Sequence, residues 1–208
     1  MEAEIIAVGT ELLLGDILNT NAQFLSRELA ALGITVHFQT VVGDNPARLE
    51  SVVRQARGRS DLLVFSGGLG PTEDDLTKQT VARAFGDTLR FDEAELEKIR
   101  AFFTAWGRTM PENNKKQAMV PTHGRKIPNA NGTAPGMIFE DQAAPGKYAV
   151  LLPGPPKELQ PMFLKPTYAE LYDHFKTIAE SVPETPVLLY NNPGRVGYTL
   201  SAQLVEEL

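Results

Sequence analysis

The residues most able to do chemistry lie in one glycine-rich stretch, residues 66–77, with the sequence SGGLGPTEDDLT. Its glycines let backbone amides approach an anion closely, because glycine has no side chain and adopts positive φ without strain. A helix is expected directly after the stretch, and its N-terminus would add a positive dipole end. The pattern therefore predicts a phosphate site. The candidate residues are Ser66, Gly67, Gly68, Gly70 and Thr72.

Two adjacent carboxylates, Asp74 and Asp75, stand at the end of this stretch. They would repel a bare phosphate, so they predict a divalent cation, Mg²⁺ or Co²⁺, that bridges them to phosphate oxygens. A tight turn accounts for the same residues equally well, with Thr72 as the helix cap and the acids favoured by the helix dipole. The residues alone leave both interpretations open.

Composition narrows the class of protein. A chain of 208 residues with 42% hydrophobic and 22% charged residues can bury one main core and a small second unit. No apolar stretch approaches the roughly 20 residues that cross a bilayer, so we expect no membrane partner. The net charge of −6, without a basic run, argues against nucleic-acid binding. The acidic N-terminus lacks the features of a signal peptide, which indicates a cytoplasmic location.

The absence of cysteine, with only three histidines, limits the metal chemistry that is open to the chain. Disulfides, thiolate metal sites and cysteine nucleophiles are excluded, and little is left for a zinc site. Any metal ion must therefore be bound by oxygen.

Strands and helices alternate along the chain. Apolar runs predict strands at residues 4–8, 34–39, 61–65 and 148–152, and helical spacing follows the first three of them. Asn45-Pro46 and Asp92 are typical helix starts, and Gly33 and Gly86 are typical helix ends. This order predicts an α/β fold with a doubly wound, mostly parallel sheet and helices on both faces.

Ligands of such sheets bind beyond the carboxyl ends of the strands. We therefore expect three loops to converge there: residues 9–11, the glycine stretch and residues 153–156. Glu11 is then a candidate metal ligand or base, and the amide of Asn21 a candidate ligand contact, although each also suits a turn or a cap. Lys115 and Lys116 could neutralise a diphosphate, but a solvated helix face is the commoner role of such a pair.

Five segments, residues 9–21, 66–77, 115–119, 132–136 and 152–159, occur in an order that resembles the N-terminal domain of CinA-family proteins, a branch of the molybdopterin-binding superfamily. The resemblance implies a three-layer α/β/α fold and a metal-dependent pyrophosphatase for nucleotide diphosphates of the ADP-ribose class. It also implies that Asp75 is the acidic residue that ends the superfamily's glycine motif. The remaining substrate-binding candidates in these segments are Asn21, Lys115, Gly132, Thr133 and Gly154.

The tail of the chain resembles a different family. Residues 165–208 are similar to the central part of dihydrodipicolinate synthase and related barrel aldolases. Tyr190 and Arg195 would match that family's active-site tyrosine and carboxylate-binding arginine, but the Schiff-base lysine is missing, so we expect no dihydrodipicolinate synthase activity. The sequence thus predicts a chimera of residues 1–163 and 164–208. A natural CinA relative with a divergent tail is the alternative.

Two functional hypotheses follow. In the first, Asp74 or Asp75, together with Glu11, holds a cation on a nucleotide diphosphate while the amides of Gly67–Gly70 stabilise the developing charge. In the second, the chain is a folded scaffold or ligand-binding module without catalysis.

The tail is expected to be a helix–strand–helix piece that docks on the sheet or pairs with a second copy in a homodimer, because an unpaired apolar strand must be covered.

Overall fold

A computed structural model describes residues 1–164, where a six-stranded sheet carries the fold. The strands are β1 (Glu2–Val8), β2 (Thr35–Val42), β3 (Leu62–Ser66), β4 (Leu89–Phe91), β5 (Met119–Pro121), β6 (Arg125–Ile127), β7 (Gly136–Glu140) and β8 (Tyr148–Leu152). The helices are α1 (Thr10–Leu14), α2 (Thr20–Ala31), α3 (Pro46–Arg59), α4 (Thr77–Ala84), α5 (Glu93–Ala105), a 3₁₀ helix (Glu112–Ala118) and α6, residues 156–164.

The strand order in the main sheet is β2-β1-β3-β8-β7-β6. The first four strands are parallel, whereas β7 and β6 run antiparallel to their neighbours. Strands β4 and β5 form a separate antiparallel pair. The predicted α/β fold with a mostly parallel sheet is confirmed, and the antiparallel edge is an addition to it.

Alternating side chains of the central strands bury both faces of the sheet. On one face, Ile6 and Phe65 belong to a core that includes Val53 of α3 and Val81 of α4. On the other face of β1, Ile5 is also buried, and α2 contacts both β1 and β2. The sequences of the central strands are therefore runs of apolar residues, because helices cover the sheet on both sides.

The predicted helix starts at Asn45 and Asp92 are confirmed by their caps, and Asn19 caps α2 in the same way. The side chains of Asn19, Asn45 and Asp92 each accept a hydrogen bond from the backbone amide three residues later, at 3.1 Å in every case. Pro46 at the first position of α3 adds a backbone angle that suits the helix. These caps fix where the loops from the strands end.

Residues Met1–Met162 form one compact unit. None of the helices in residues 1–164 combines the length and hydropathy that a membrane span requires. The predicted tail, including Tyr190 and Arg195, lies outside the described residues, so its boundary, docking and pairing stay predictions.

Candidate functional site

A cavity of about 450 Å³ opens at the carboxyl ends of the parallel strands. It has the size typical of small-molecule sites. The loops after β1, β3 and β8 all contribute lining residues, so these three loops converge as the strand order predicts. The lining residues are Val8, Gly9, Glu11, Asp44, Gly67, Gly68, Leu69, Gly70, Thr72, Asp74, Asp75, Gln117, Thr133, Ala134, Pro153, Gly154, Pro155 and Glu158.

The turn after β3 depends on two glycines at positive φ, 97° at Gly67 and 68° at Gly68. The amide of Gly67 donates to the carbonyl oxygen of Leu152 at 3.0 Å, which ties the turn to β8. A β-carbon at position 67 would lie 2.2 Å from the carbonyl oxygen of Val8. Only glycine fits where the chain passes this closely over the end of β1.

The next three amides, those of Gly68, Leu69 and Gly70, donate to no group among residues 1–164. All three residues line the cavity. Directly beneath them, the hydroxyl of the fully buried Thr77 also lacks a partner among the described residues, and it lies 1.9 Å from where a β-carbon of Gly68 would stand. Unpaired donors at the start of a helix are the elements of an anion site.

The 3₁₀ helix holds this loop from the side. The ammonium of Lys116 donates to the carbonyl oxygen of Thr72, and the side-chain amide of Gln117 donates to that of Leu69 at 3.3 Å. Lys78 connects α4 with the same 3₁₀ helix, because its ammonium donates to the carbonyl oxygens of Lys116 and Met119. The loop, the helix that follows it and the 3₁₀ helix are therefore joined by one set of hydrogen bonds.

Burial, with a smaller contribution from the charge of the nearby Lys116, lowers the pKa of Lys78 to about 7, and the charge of Asp75 opposes this shift. The unfolded chain keeps the ordinary pKa of 10.5, so it binds more protons than the folded chain between these values. The free energy of unfolding should therefore rise with pH in this interval, by up to about 1.4 kcal/mol per unit, with no such slope below about pH 7.

Urea denaturation between about pH 7 and pH 9.5 measures this slope. We expect Lys78→Met to remove it and the matched Lys115→Met to retain it, because Lys115 is half-exposed and paired with Glu112 at 2.6 Å. Equal slopes for Lys78→Met and the wild type would contradict the prediction.

Carboxylates dominate the cavity: five of its lining residues are acidic and none is lysine or arginine. Two of them are engaged in holding loops. Asp75 accepts from the amide of Thr72 at 3.0 Å and from its hydroxyl, and Asp44 accepts from the amide and hydroxyl of Thr10, both at 2.9 Å. Glu11 folds back over Gly9, where its Oε1 lies 2.6 Å from the position of a β-carbon. So many carboxylates in the lining disfavour the binding of an anion unless a cation is bound with it.

The carboxylate oxygens of the cavity fit a hard divalent cation such as Mg²⁺. Within the described residues, no three acidic or histidine side chains come together to hold a metal ion by themselves. Mg²⁺ does not need such a group, since it is usually bound by one or two carboxylates together with waters and substrate phosphates. The residues therefore suit a hard cation that is shared with a phosphorylated ligand.

Most of the predicted site residues meet in this cavity, and four do not line it. Ser66 is buried at the end of β3. Asn21 donates to the carbonyl oxygen of Gly154 at 2.7 Å, so it supports the loop after β8, and its own amide oxygen has no partner among the described residues. Lys115 pairs with Glu112, and Gly132 packs against the carboxylate of Glu158.

Asp44, Gln117 and Glu158 line the cavity but were not among the predicted site residues. Asp44 could have been found from the strand rule, because it follows β2 as the glycine loop follows β3. Its omission arose because the second strand was predicted to end at residue 39, whereas β2 continues to Val42. Glu158 lies in residues 152–159, one of the five segments that resemble CinA-family proteins, but the sequence predicted no role for it.

A second cavity, of about 530 Å³, lies between α2 and the edge strand β2. Its lining includes Ser26, Gly33 and His37 but no carboxylate. It is larger than the cavity at the strand ends, yet it lacks both the glycine loop and the acidic groups. The chemistry of the domain is therefore assigned to the cavity at the strand ends.

The chain belongs to the family described as "Probable molybdopterin binding domain", whose model matches residues 4–171. The solved structure of the protein CinA from Thermoplasma acidophilum, whose title gives its function as unknown, is similar at 39% identity with a TM-score of 0.69, over 78% of this chain and 94% of that one. MoaB from Pyrococcus furiosus, described as a tungsten cofactor synthesizing protein, shares the fold at 17% identity and a TM-score of 0.53, over 85% of this chain and 95% of that one.

Curated relatives are named "Putative competence-damage inducible protein". One from Geobacillus sp. is 59% identical over 79% of this chain, and one from Lysinibacillus sphaericus is 52% identical over 88%. The chain spans about two fifths of the length of these relatives, 39% and 43%. Residues 157–208 match the model of the dihydrodipicolinate synthetase family.

Proposed function

We propose that this domain is a metal-dependent pyrophosphatase that hydrolyses nucleotide diphosphates of the ADP-ribose class. The observation that carries the proposal is the row of unpaired amides, from Gly68 to Gly70, in a cavity lined by carboxylates. Preorganised amides stabilise charge that develops on phosphoryl oxygens. The substrate class rests on the resemblance to CinA-family domains, because the residues themselves favour only a phosphate with a cation.

In this proposal the cation lies among the acidic residues that line the cavity. Asp74, Asp75 and Glu11 are the candidate ligands of Mg²⁺ or Co²⁺, and one or two of them would hold the cation together with substrate phosphates, because no three such side chains of the described residues form one group. Such a cation would neutralise the diphosphate and polarise its phosphoryl groups. Thr72, Thr133 and Gly154 also line the cavity and are candidates for contacts with the rest of the nucleotide. Asn21 supports Gly154 from below.

The test is release of AMP from ADP-ribose by the full chain, measured with Mg²⁺, with Co²⁺ and with a chelator. We expect AMP and ribose 5-phosphate to form in equal amounts with a divalent cation and neither to form with the chelator. The same mixture without protein is the control. Binding of ADP-ribose without release of AMP under any of these conditions would contradict the proposal and favour a ligand-binding module without catalysis.

We also propose that the chain is a chimera, because two family models match its two ends and overlap only at residues 157–171. The tail carries only a short part of the second family, so aldolase activity is not proposed. A cytoplasmic location and a homodimer remain predictions.

A further inference from the structure

Glu158, in the first turn of α6, is held by a side-chain amide, whereas Asp75 and Asp44 are held by the backbone amide and hydroxyl of a threonine. Its Oε2 accepts one hydrogen bond, from the side-chain amide of Asn129 at 2.7 Å. Its Oε1 makes no hydrogen bond within residues 1–164. Glu158 is half-buried and lines the cavity. One oxygen is thus fixed in place while the other remains available.

The surroundings of Glu158 are built to fix this carboxylate. Asn129 also donates to the carbonyl oxygen of Ala134 at 2.9 Å, and Asn131 donates to that of Lys157 at 3.0 Å. A β-carbon at Gly132 would lie 2.0 Å from Oε2, so the turn packs directly on the carboxylate. The loop between β6 and β7 is thereby fastened to the start of α6.

We propose that Glu158 is the general base of the hydrolysis, a role that rests on the proposed function. Its carboxylate takes one proton from the attacking water as the water oxygen bonds to phosphorus. The bridging P–O bond breaks, and its electron pair leaves with the other phosphate. The second water proton stays on the new phosphate until solvent removes it, and Glu158 returns its proton to solvent.

Electrostatics suit this role. Burial raises the pKa of Glu158, while the hydrogen bond from Asn129 and the charge of Lys157 lower it to a smaller extent. A carboxylate with a raised pKa is a stronger base than an exposed one. The other titratable groups that line the same cavity are Glu11, Asp44, Asp74 and Asp75.

The test compares Glu158→Gln with wild type in AMP release from ADP-ribose. Glutamine keeps an oxygen that can accept from Asn129, so we expect an unchanged melting temperature. We expect kcat to fall by about 100-fold or more with little change in KM, and the decline of kcat towards acid pH to disappear. Glu112→Gln is the matched control, because Glu112 is exposed and does not line the cavity; its kinetics should equal those of wild type.

A second variant separates a base from a structural residue. Asn129→Ala removes the donor that stabilises the ionised carboxylate, so the acid limb of kcat should move to higher pH. A purely structural role would lower the melting temperature and the activity at every pH without moving the limb, and would overturn the inference. An active wild type with an equally active Glu158→Gln variant overturns the role of Glu158 alone. A wild type that releases no AMP overturns the proposed function and this role together.

Discussion

Replacing Gly67 by alanine is expected to destabilise the domain by about 2–5 kcal/mol. The residue has a φ of 97°, and a new β-carbon would stand 2.2 Å from the carbonyl oxygen of Val8. The unfavourable backbone angle costs about 1–2 kcal/mol, and overlap with a fixed backbone adds about 1–3 kcal/mol. Urea denaturation of the full chain at neutral pH measures the change in the free energy of unfolding.

Gly15→Ala is the matched control for this substitution. Gly15 has a similar φ of 79°, but nothing lies within 4 Å of where its β-carbon would stand. We therefore expect only the backbone term, about 1–2 kcal/mol. Equal losses in the two variants would show that the contact with Val8 relaxes without cost.

Replacing Asp75 by asparagine is expected to reduce metal-dependent hydrolysis by at least about 100-fold, because it removes a candidate ligand of the cation. The fold should remain intact. Asparagine keeps an oxygen that can accept the hydrogen bond from the amide of Thr72, now 3.0 Å long. The lost charge at the start of α4 costs only about 0.3–1 kcal/mol. Initial rates over a range of Mg²⁺ concentrations measure the effect on both turnover and the cation requirement.

Glu73→Gln is the control, since Glu73 is exposed in the same turn and does not line the cavity. It should leave the rates unchanged. If Asp75→Asn were as active as wild type, Asp75 would be reassigned to bracing the turn through Thr72.

The central strands and the long helices were predictable because their signals are local. Val64 and its neighbours form an apolar run, and Asn45-Pro46 and Asp92 are recognisable caps within a few residues of the helices they start. The short strands β4 to β7 lack such signals. Leu89 pairs with Pro121 and Ile127 with Gly136, so these strands exist through partners that lie elsewhere in the chain.

The site was predictable to the extent that it follows from the parallel sheet. Glu11 and the glycine loop share a cavity because β1 and β3 end at the same edge. The different partners of Lys115 and Lys116 were not predictable. It depends on the 3₁₀ turn, which directs Lys115 to Glu112 and Lys116 to the loop.

The hydrogen bonds of Lys78, Lys116 and Gln117 bear on how this domain can be recombined during evolution. They join the glycine loop to a segment about forty residues further along the chain. A crossover between α4 and the 3₁₀ helix would pair the loop with a foreign partner and leave its carbonyl oxygens without donors. A crossover after α6 begins keeps all three residues in one inherited block. The site can therefore pass intact into a gene whose downstream part comes from another family.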